Sequence, residues 1–535
     1  MTQKGSLFAD STHAFAFWAG CVAVTTGVLL HMPMFLMGRY THWRLAGMPM
    51  GKPMLVGMGL IIAGFGATAY GLLPRRHSQS LGFDEIAPPE DAPLTRAHWI
   101  QISIIAIALI IDVMKPASLG FVIPGMRVEY GLSFATVALL PFSGLLGTTI
   151  GSFMWGTLAD VFGRRATLLL AAVTFMGTSI CGAMPSFTWN VIMCFLMGIG
   201  AGGMLPVAYA LLAEIMPTRH RGWCLVLVGG IGSIGGYFAT SSLSALLQPY
   251  FGWRIMWLIG LPTSLILIAV SPMLQESARF LQSMGRLQEA RETLARFGIS
   301  IQTTTARQNS YPAVPSASPV RFRKLLGVTC ALTLTALCVG FVNFGVVLWL
   351  PGSLMHEGRS VGAASKLIAR STLIAAPAIL LVSWLYSVWS TKRTLISSVV
   401  VTTLGLIAIL LRDAGSLRIF SNPVLPVVLL IVGTTGIISV LLPYSAESYP
   451  IRVRGRATGW VAGFSKAGGL VAQVLGTMAL VPALGIAAGA VAVPCILAIL
   501  LLALLGRETH GRDLRELEGV KLAGGTAEVS AVGLD

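Results

Sequence analysis

AEIMPTRHRG at residues 213–222 and AESYPIRVRG at residues 446–455 are one motif written twice. Glu214, Pro217, Arg219, Arg221 and Gly222 fall on Glu447, Pro450, Arg452, Arg454 and Gly455 at a single offset. The register continues into the apolar runs that follow, where Gly230, Gly235 and Gly236 fall on Gly463, Gly468 and Gly469. One structural unit therefore occurs twice. Its setting is a membrane: the 535 residues are 55% hydrophobic and 11% charged, with a mean hydropathy of +0.79. A helix needs about 20 apolar residues to cross a bilayer, and most apolar runs here reach that length. Strands of a membrane barrel need only about 10. A duplicated all-α membrane unit is the usual build of a secondary carrier, with substrate held between the halves.

Fourteen apolar segments can be read along the chain. Two come first and predict an extra N-terminal transmembrane hairpin over 1–74. A polar linker, 75–98, follows. Six segments form an N-terminal bundle over 99–273. A basic central loop, 274–324, separates them from a C-terminal six-helix bundle over 325–505 and a polar tail, 506–535. The central loop is rich in arginine, and every second loop of the twelve-helix core is basic in phase with it, which places the central loop and the tail in the cytoplasm. The hairpin fits this rule less well, because Arg39, Arg44 and Lys52 sit on its outward side. The net charge of +16 is spread over such loop clusters, so nucleic acid is not an expected partner. The seven cysteines lie in or beside apolar segments and have no metal-ligand spacing. No constellation for metal binding, a cofactor or catalysis is visible, so an enzyme is not expected.

Two stretches carry a family resemblance. GTLADVFGRR (156–165) resembles the signature loop of the major facilitator superfamily through Gly156, Asp160, Gly163, Arg164 and Arg165. The two E-x-x-P-x-x-x-R-G motifs, and ESARFLQSMGRLQEA at 276–290, are similar to loops of its sugar-porter and metabolite:proton symporter branches. The resemblance covers about 99–505. It implies two six-helix bundles, alternating access and a cytoplasmic latch built from the loop charges. The candidate latch residues are Gly156, Asp160, Gly163, Arg164, Arg165, Glu214, Arg221, Glu447 and Arg454. Gly156 is also expected to let two helices approach closely.

Finer features point to a branch. Asp112, Gly120 and Pro124 match the first helix of aromatic-acid:proton symporters, with Lys115 where that group has a second Asp. Gly345, Trp349, Leu350, Pro351 and Leu354 match its seventh helix, and Lys466 stands where its eleventh helix has Arg. Cys194 replaces an Arg that the superfamily links to proton coupling.

A charge inside a bilayer costs roughly 2.5–3.5 kcal/mol on insertion scales and needs a reason. Asp112, Lys115 and Lys466 all lie near the expected midplane. One carboxylate and two ammonium groups suit an anionic substrate; alternatively Asp112 and Lys115, at i and i+3, form a structural ion pair. Asn343 and Trp349 are candidate substrate contacts on the seventh helix, and Phe344, Tyr209 and Tyr237 could stack on a flat substrate or simply pack.

The expectation is a multi-pass carrier of the inner or plasma membrane, working as a monomer. It would import a small organic acid, with aromatic carboxylates among the candidates, driven by the proton gradient through Asp112. Facilitated diffusion stays open because of Cys194. The rival is a sugar or polyol carrier. A more distant rival is a non-transporting membrane sensor, for which the 30-residue tail is short.

Overall fold

A computed structural model describes residues 8, 10–73, 93–298, 322–415, 422–449, 451–478, 480 and 483–510, the side chains of 218, 283, 322–324 and 451–455 excepted. Thirteen helical stretches among them are long and apolar enough to cross a membrane. They are α1 (Ser11–Thr41), α2 (Lys52–Gly71), α3 (Arg96–Tyr130), α4 (Phe134–Phe162), α5 (Arg164–Ala183), α6 (Phe187–Ile215), α7 (Arg219–Phe251), α8 (Ile255–Met273), α9 (Leu325–His356), α10 (Val361–Val388), α11 (Thr391–Asp413), α12 (Val424–Ser448) and α14 (Leu484–Leu505). Between the last two runs α13 (Ile451–Thr477), whose glycines, Lys466 and Gln473 lower its hydropathy. The fold is an all-α membrane protein: a two-helix hairpin followed by two six-helix bundles.

Small residues set the packing. In lipid, helices gain little from burying apolar surface against each other, so close backbone approach matters more. α4 and α6 pack tightly; a Cβ on Gly198 would collide with the Gly144 carbonyl, and one on Gly151 with the Ile199 carbonyl. Gly156 does not act this way, since a Cβ there would meet nothing within 4 Å. The expected close approach at Gly156 is therefore wrong, and lies one to three turns earlier on the same helix. The halves meet where α4 packs on α13, α7 on α10 and α12, and α3 on the outer end of α9.

The hairpin is built in the same way. A Cβ on Gly20 would stand 2.6 Å from the Gly64 carbonyl oxygen, and one on Gly27 2.6 Å from that of Gly57. Its helices rest on α5 of the first half. Its connecting loop docks on the outer end of that half through one carboxylate. The backbone N–H groups of Leu45 and Ala46 donate to Glu129 Oε1 at 2.7 and 3.0 Å. Trp253 Nε1 donates to Glu129 Oε2 at 2.8 Å, and Arg254 Nη2 to Oε1 at 2.7 Å. Arg254 is fully buried and also donates to the carbonyls of Gly182 and Met184. The loop docks through these backbone N–H groups and through Trp43, whose ring centroid lies 5.3 Å from that of Phe251.

Removing one member of a buried, fully bonded pair leaves a stranded charge and costs about 3–5 kcal/mol. Arg254→Met should therefore lower the unfolding temperature in detergent clearly. The double variant Glu129→Gln with Arg254→Met should recover part of that loss. An unchanged transition for Arg254→Met would show that the hairpin dock adds nothing to stability.

Candidate functional site

The centre of the molecule is set by a proline inside α3, which runs through it without a break. Pro116 has no N–H to give, so the Asp112 carbonyl loses its helical donor. Ser118 Oγ donates to the Lys115 carbonyl at 2.7 Å, and Thr240 Oγ1 of α7 to the Met114 carbonyl at 3.2 Å. Asp112 is buried, and one of its carboxylate oxygens has no hydrogen-bond partner. The charge of Lys466, on α13 of the other half, acts on it across the interface. The two form no direct ion pair, and Lys466 is only half-buried.

Lys115 goes elsewhere. Its side chain runs into the first half, between α5 and α8. Its Nζ lies 5.8 Å from the Phe175 ring centroid, beside Gly260 of α8 and Ser179, with no hydrogen-bond partner. The i,i+3 ion pair with Asp112 does not form. Nor do both lysines gather at one place: Lys466 faces Asp112 and Lys115 does not.

The second half supplies α9 and α13. Residues Phe341–Val347 of α9 form a wide π-helical turn, a distortion frequent at functional sites. Asn343 is buried there and donates to the Val339 carbonyl of its own helix at 3.0 Å. Trp349 lies further out, its ring 4.6 Å from that of Phe134 of the first half. Beside it, Gly120 packs on the Leu348 carbonyl and Pro351. These contacts close the outer side. One residue escaped the sequence reading. Gln473 of α13 is fully buried; its Nε2 donates to the Phe344 carbonyl, while its Oε1 has no partner. The available signal was a lone polar residue in an apolar run, two turns from Lys466.

The cytoplasmic side is organised around the turn between α4 and α5. Gly163 turns the chain between α4 and α5 at φ +94°, a conformation that favours glycine. Arg164 then reaches Glu214 at 3.1 Å and Asp160 at 3.5 Å. The N–H groups of Arg164 and Arg165 donate to Glu276 at 3.0 and 3.1 Å, and Arg165 Nη2 donates to the Ser271 carbonyl. Burial pushes the Glu276 carboxyl up, opposed by the N–H groups of Ser277, Arg165 and Arg164. These bonds all lie within the first half. The contact between halves is different: Gly222, next to Arg221, lies against Glu447 and Tyr386. Glu447 is held from behind by Thr509 Oγ1 at 2.8 Å. Glu508 anchors that strand of chain to Ser390 and Thr391. Burial alone would raise the Glu508 carboxyl, but these donors outweigh it and hold it below the ordinary range. The Arg454 side chain lies outside the described residues.

A twelve-helix core in two halves, with a carboxylate and an ammonium on opposite sides of their interface, is the architecture of a membrane carrier. The family model of the Major Facilitator Superfamily matches residues 105–411, and the chain belongs to that superfamily. The niacin transporter NiaP of Acinetobacter baylyi is 25% identical over 81% of this chain and 99% of its own. The gallate transporter of Pseudomonas putida is 27% identical over 75% of this chain and 92% of its own. The 4-hydroxybenzoate transporter PcaK of Acinetobacter baylyi is 26% identical over 75% and 89%. Among solved structures, the inward-open xylose transporter XylE from E. coli superposes with a TM-score of 0.63 at 18% identity, over 79% of this chain and 99% of that one. That last likeness is one of fold.

Gly222 offers a direct handle on the cytoplasmic contact. A Cβ there would stand 3.2 Å from both Glu447 and the Tyr386 ring. Gly222→Val should wedge the cytoplasmic faces apart, raising the labelling of single cysteines placed on the cytoplasmic ends of α7 and α10. Asp160→Asn should shift labelling by no more than about fivefold, because an ion pair with a mostly exposed partner is worth about 1 kcal/mol at most. Unchanged labelling in Gly222→Val would exclude this contact as a gate.

Proposed function

We propose that the protein is a secondary carrier of the plasma membrane that takes up a small organic acid, an aromatic carboxylate, by alternating access coupled to protons. The observation that carries this reading is the half-buried Lys466 ammonium, unpaired at the interface of the halves and facing Asp112. An ammonium in an apolar medium needs a counter-charge. Asp112 supplies part of it from across the interface, and a substrate carboxylate would supply the rest at closer range. The names of the niacin, gallate and 4-hydroxybenzoate transporters agree with such a substrate.

The chemistry then follows from charge balance. When substrate engages Lys466, the Asp112 carboxylate loses the field that favoured its charged form. A carboxylate buried without a counter-charge takes up a proton. Substrate binding and protonation of Asp112 are thus linked, and the carrier moves both together. Cys194, where the superfamily has Arg, packs against the Leu140 carbonyl at 3.3 Å and leaves this role to Asp112. A single chain contains the whole site, so a monomer suffices.

Two measurements test this. Lys466→Met should weaken carboxylate binding by tenfold or more, about 1.4 kcal/mol, while the protein still inserts. Retained affinity in that variant would sink the anionic-substrate reading. In proteoliposomes, substrate entry should alkalinise the outside, and Asp112→Asn should abolish that change while keeping counterflow of labelled for unlabelled substrate. Uptake without any proton movement in the unmutated protein would make it a uniporter.

A further inference from the structure

Arg39, Arg44 and Lys52 stand exposed on the outward loop of the hairpin. Their side chains make no ion pair or hydrogen bond among the described residues, and residues 38–53 hold no acid. The described carboxylates elsewhere on that face are taken: Glu129 by Arg254, Glu357 by Arg412 at 2.6 Å, and Asp413 by the Gly485 N–H at 2.7 Å. Cations on an outer loop also oppose the charge bias that orients a membrane chain. They call for a partner outside the protein. The turn that carries them is firmly held. His42 and Trp43 both take left-handed backbone, at φ 52° and 62°, which is costly for residues with a Cβ. Thr41 Oγ1 donates to the Arg44 carbonyl at 2.6 Å, and the Arg44 N–H to the Thr41 carbonyl at 3.1 Å. The Trp43 ring packs on those of Phe35 and Phe251, at 4.9 and 5.3 Å between centroids. Such strain persists only where the surroundings fix it. Here it tucks Trp43 inward and leaves Arg39 and Arg44 on the surface.

What lies beneath these cations distinguishes one kind of anion from another. Leu36 and Met37 are more than half exposed within one turn of Arg39 on α1, and Leu55 and Val56 likewise within about one turn of Lys52 on α2. In both places the apolar pair lies on the membrane side of the cation. Large apolar side chains exposed on a membrane helix face acyl chains, so a cation about 5.4 Å further out stands at the level of the phosphates. Tyr40, 89% exposed, is a residue type of that same boundary. We propose that this loop seats the headgroups of anionic phospholipids of the outer leaflet, with Arg39, Arg44 and Lys52 holding the phosphates. A soluble anion would use the cations alone, whereas a phospholipid uses the cations and the apolar step below them. The seat is independent of the substrate. It belongs to the hairpin, and through the dock at Glu129 it ties the first half to the leaflet.

The test uses the full-length protein in phosphatidylcholine vesicles, with a fluorophore on Leu36→Cys and with Cys330, the exposed native cysteine, replaced by Ser. Acyl-brominated phosphatidylglycerol and acyl-brominated phosphatidylcholine are compared as quenchers at the same small fraction. One cation at an anionic membrane surface is worth about fivefold, so phosphatidylglycerol should be enriched at this site by about fivefold or more. The enrichment should fall as sodium chloride rises. It should disappear in the triple variant Arg39→Gln, Arg44→Gln, Lys52→Gln, which leaves the backbone dock and Trp43 untouched, and persist in Arg39→Lys with Arg44→Lys. A fluorophore on Ile486→Cys, exposed at the outer end of α14 beside the paired Glu357 and Arg412, should see no enrichment. Equal quenching by the two lipids at Leu36→Cys with the loop charges intact overturns the proposal, whether or not the charge variants fold. So does enrichment that survives the triple variant or high salt, and so does enrichment of the same size at Ile486→Cys. Enrichment lost to inorganic phosphate but not to chloride of equal ionic strength would assign the cations to a soluble anion and overturn the lipid.

Discussion

A carboxylate and an ammonium held on opposite halves of an apolar molecule constrain everything else in this protein. Asp112 and Lys466 see each other's charge without touching. In a bilayer neither can be left without compensation. The interface must therefore stay closed to lipid on its flanks, which the α4–α13 and α7–α10 contacts do. It must also be able to open at either end; outside, the halves touch at Gly120 and through Trp349 on Phe134, and inside Gly222 lies against Glu447 and Tyr386.

The latch divides labour differently from what the repeated motif suggests. The motif puts matching charges on both halves, which reads as a set of bridges between them. In the first half, Arg164, Glu214 and Glu276 instead stiffen the turn around Gly163. In the second, Glu447 is propped by the chain beyond α14 through Thr509. Each half is thus made rigid at its cytoplasmic end by its own polar network. Rigid ends that meet at Gly222, and where the Ser383 hydroxyl donates to the Trp223 carbonyl, can move as bodies.

Much of this was legible in the sequence for a physical reason. Repetition of a ten-residue motif, apolar run lengths and the placement of arginine depend on the bilayer, which acts on every segment alike. Lys466 was legible because a charge inside an apolar run is conspicuous. The failures are local. Spacing put Lys115 beside Asp112, but its side chain reaches between α5 and α8 of the first half instead. Gly156 sits in a recognisable motif, yet whether a glycine meets a neighbour depends on which face it occupies. Gln473 was overlooked because its partner is a backbone carbonyl exposed by a π-helical turn, and no residue type announces that turn. Glu129 was passed over because its partners, at 45–46 and 253–254, lie in two distant parts of the chain.

The dock at Glu129 makes the protein mechanically lopsided. The hairpin is fastened to the first half at both its helices and its loop, so eight helices form one body and six the other. In a viscous bilayer the larger body is dragged more and turns less. The second half, carrying Lys466 and the wide turn of α9, is then the rotor, and the hairpin with its host is the stator against which it swings.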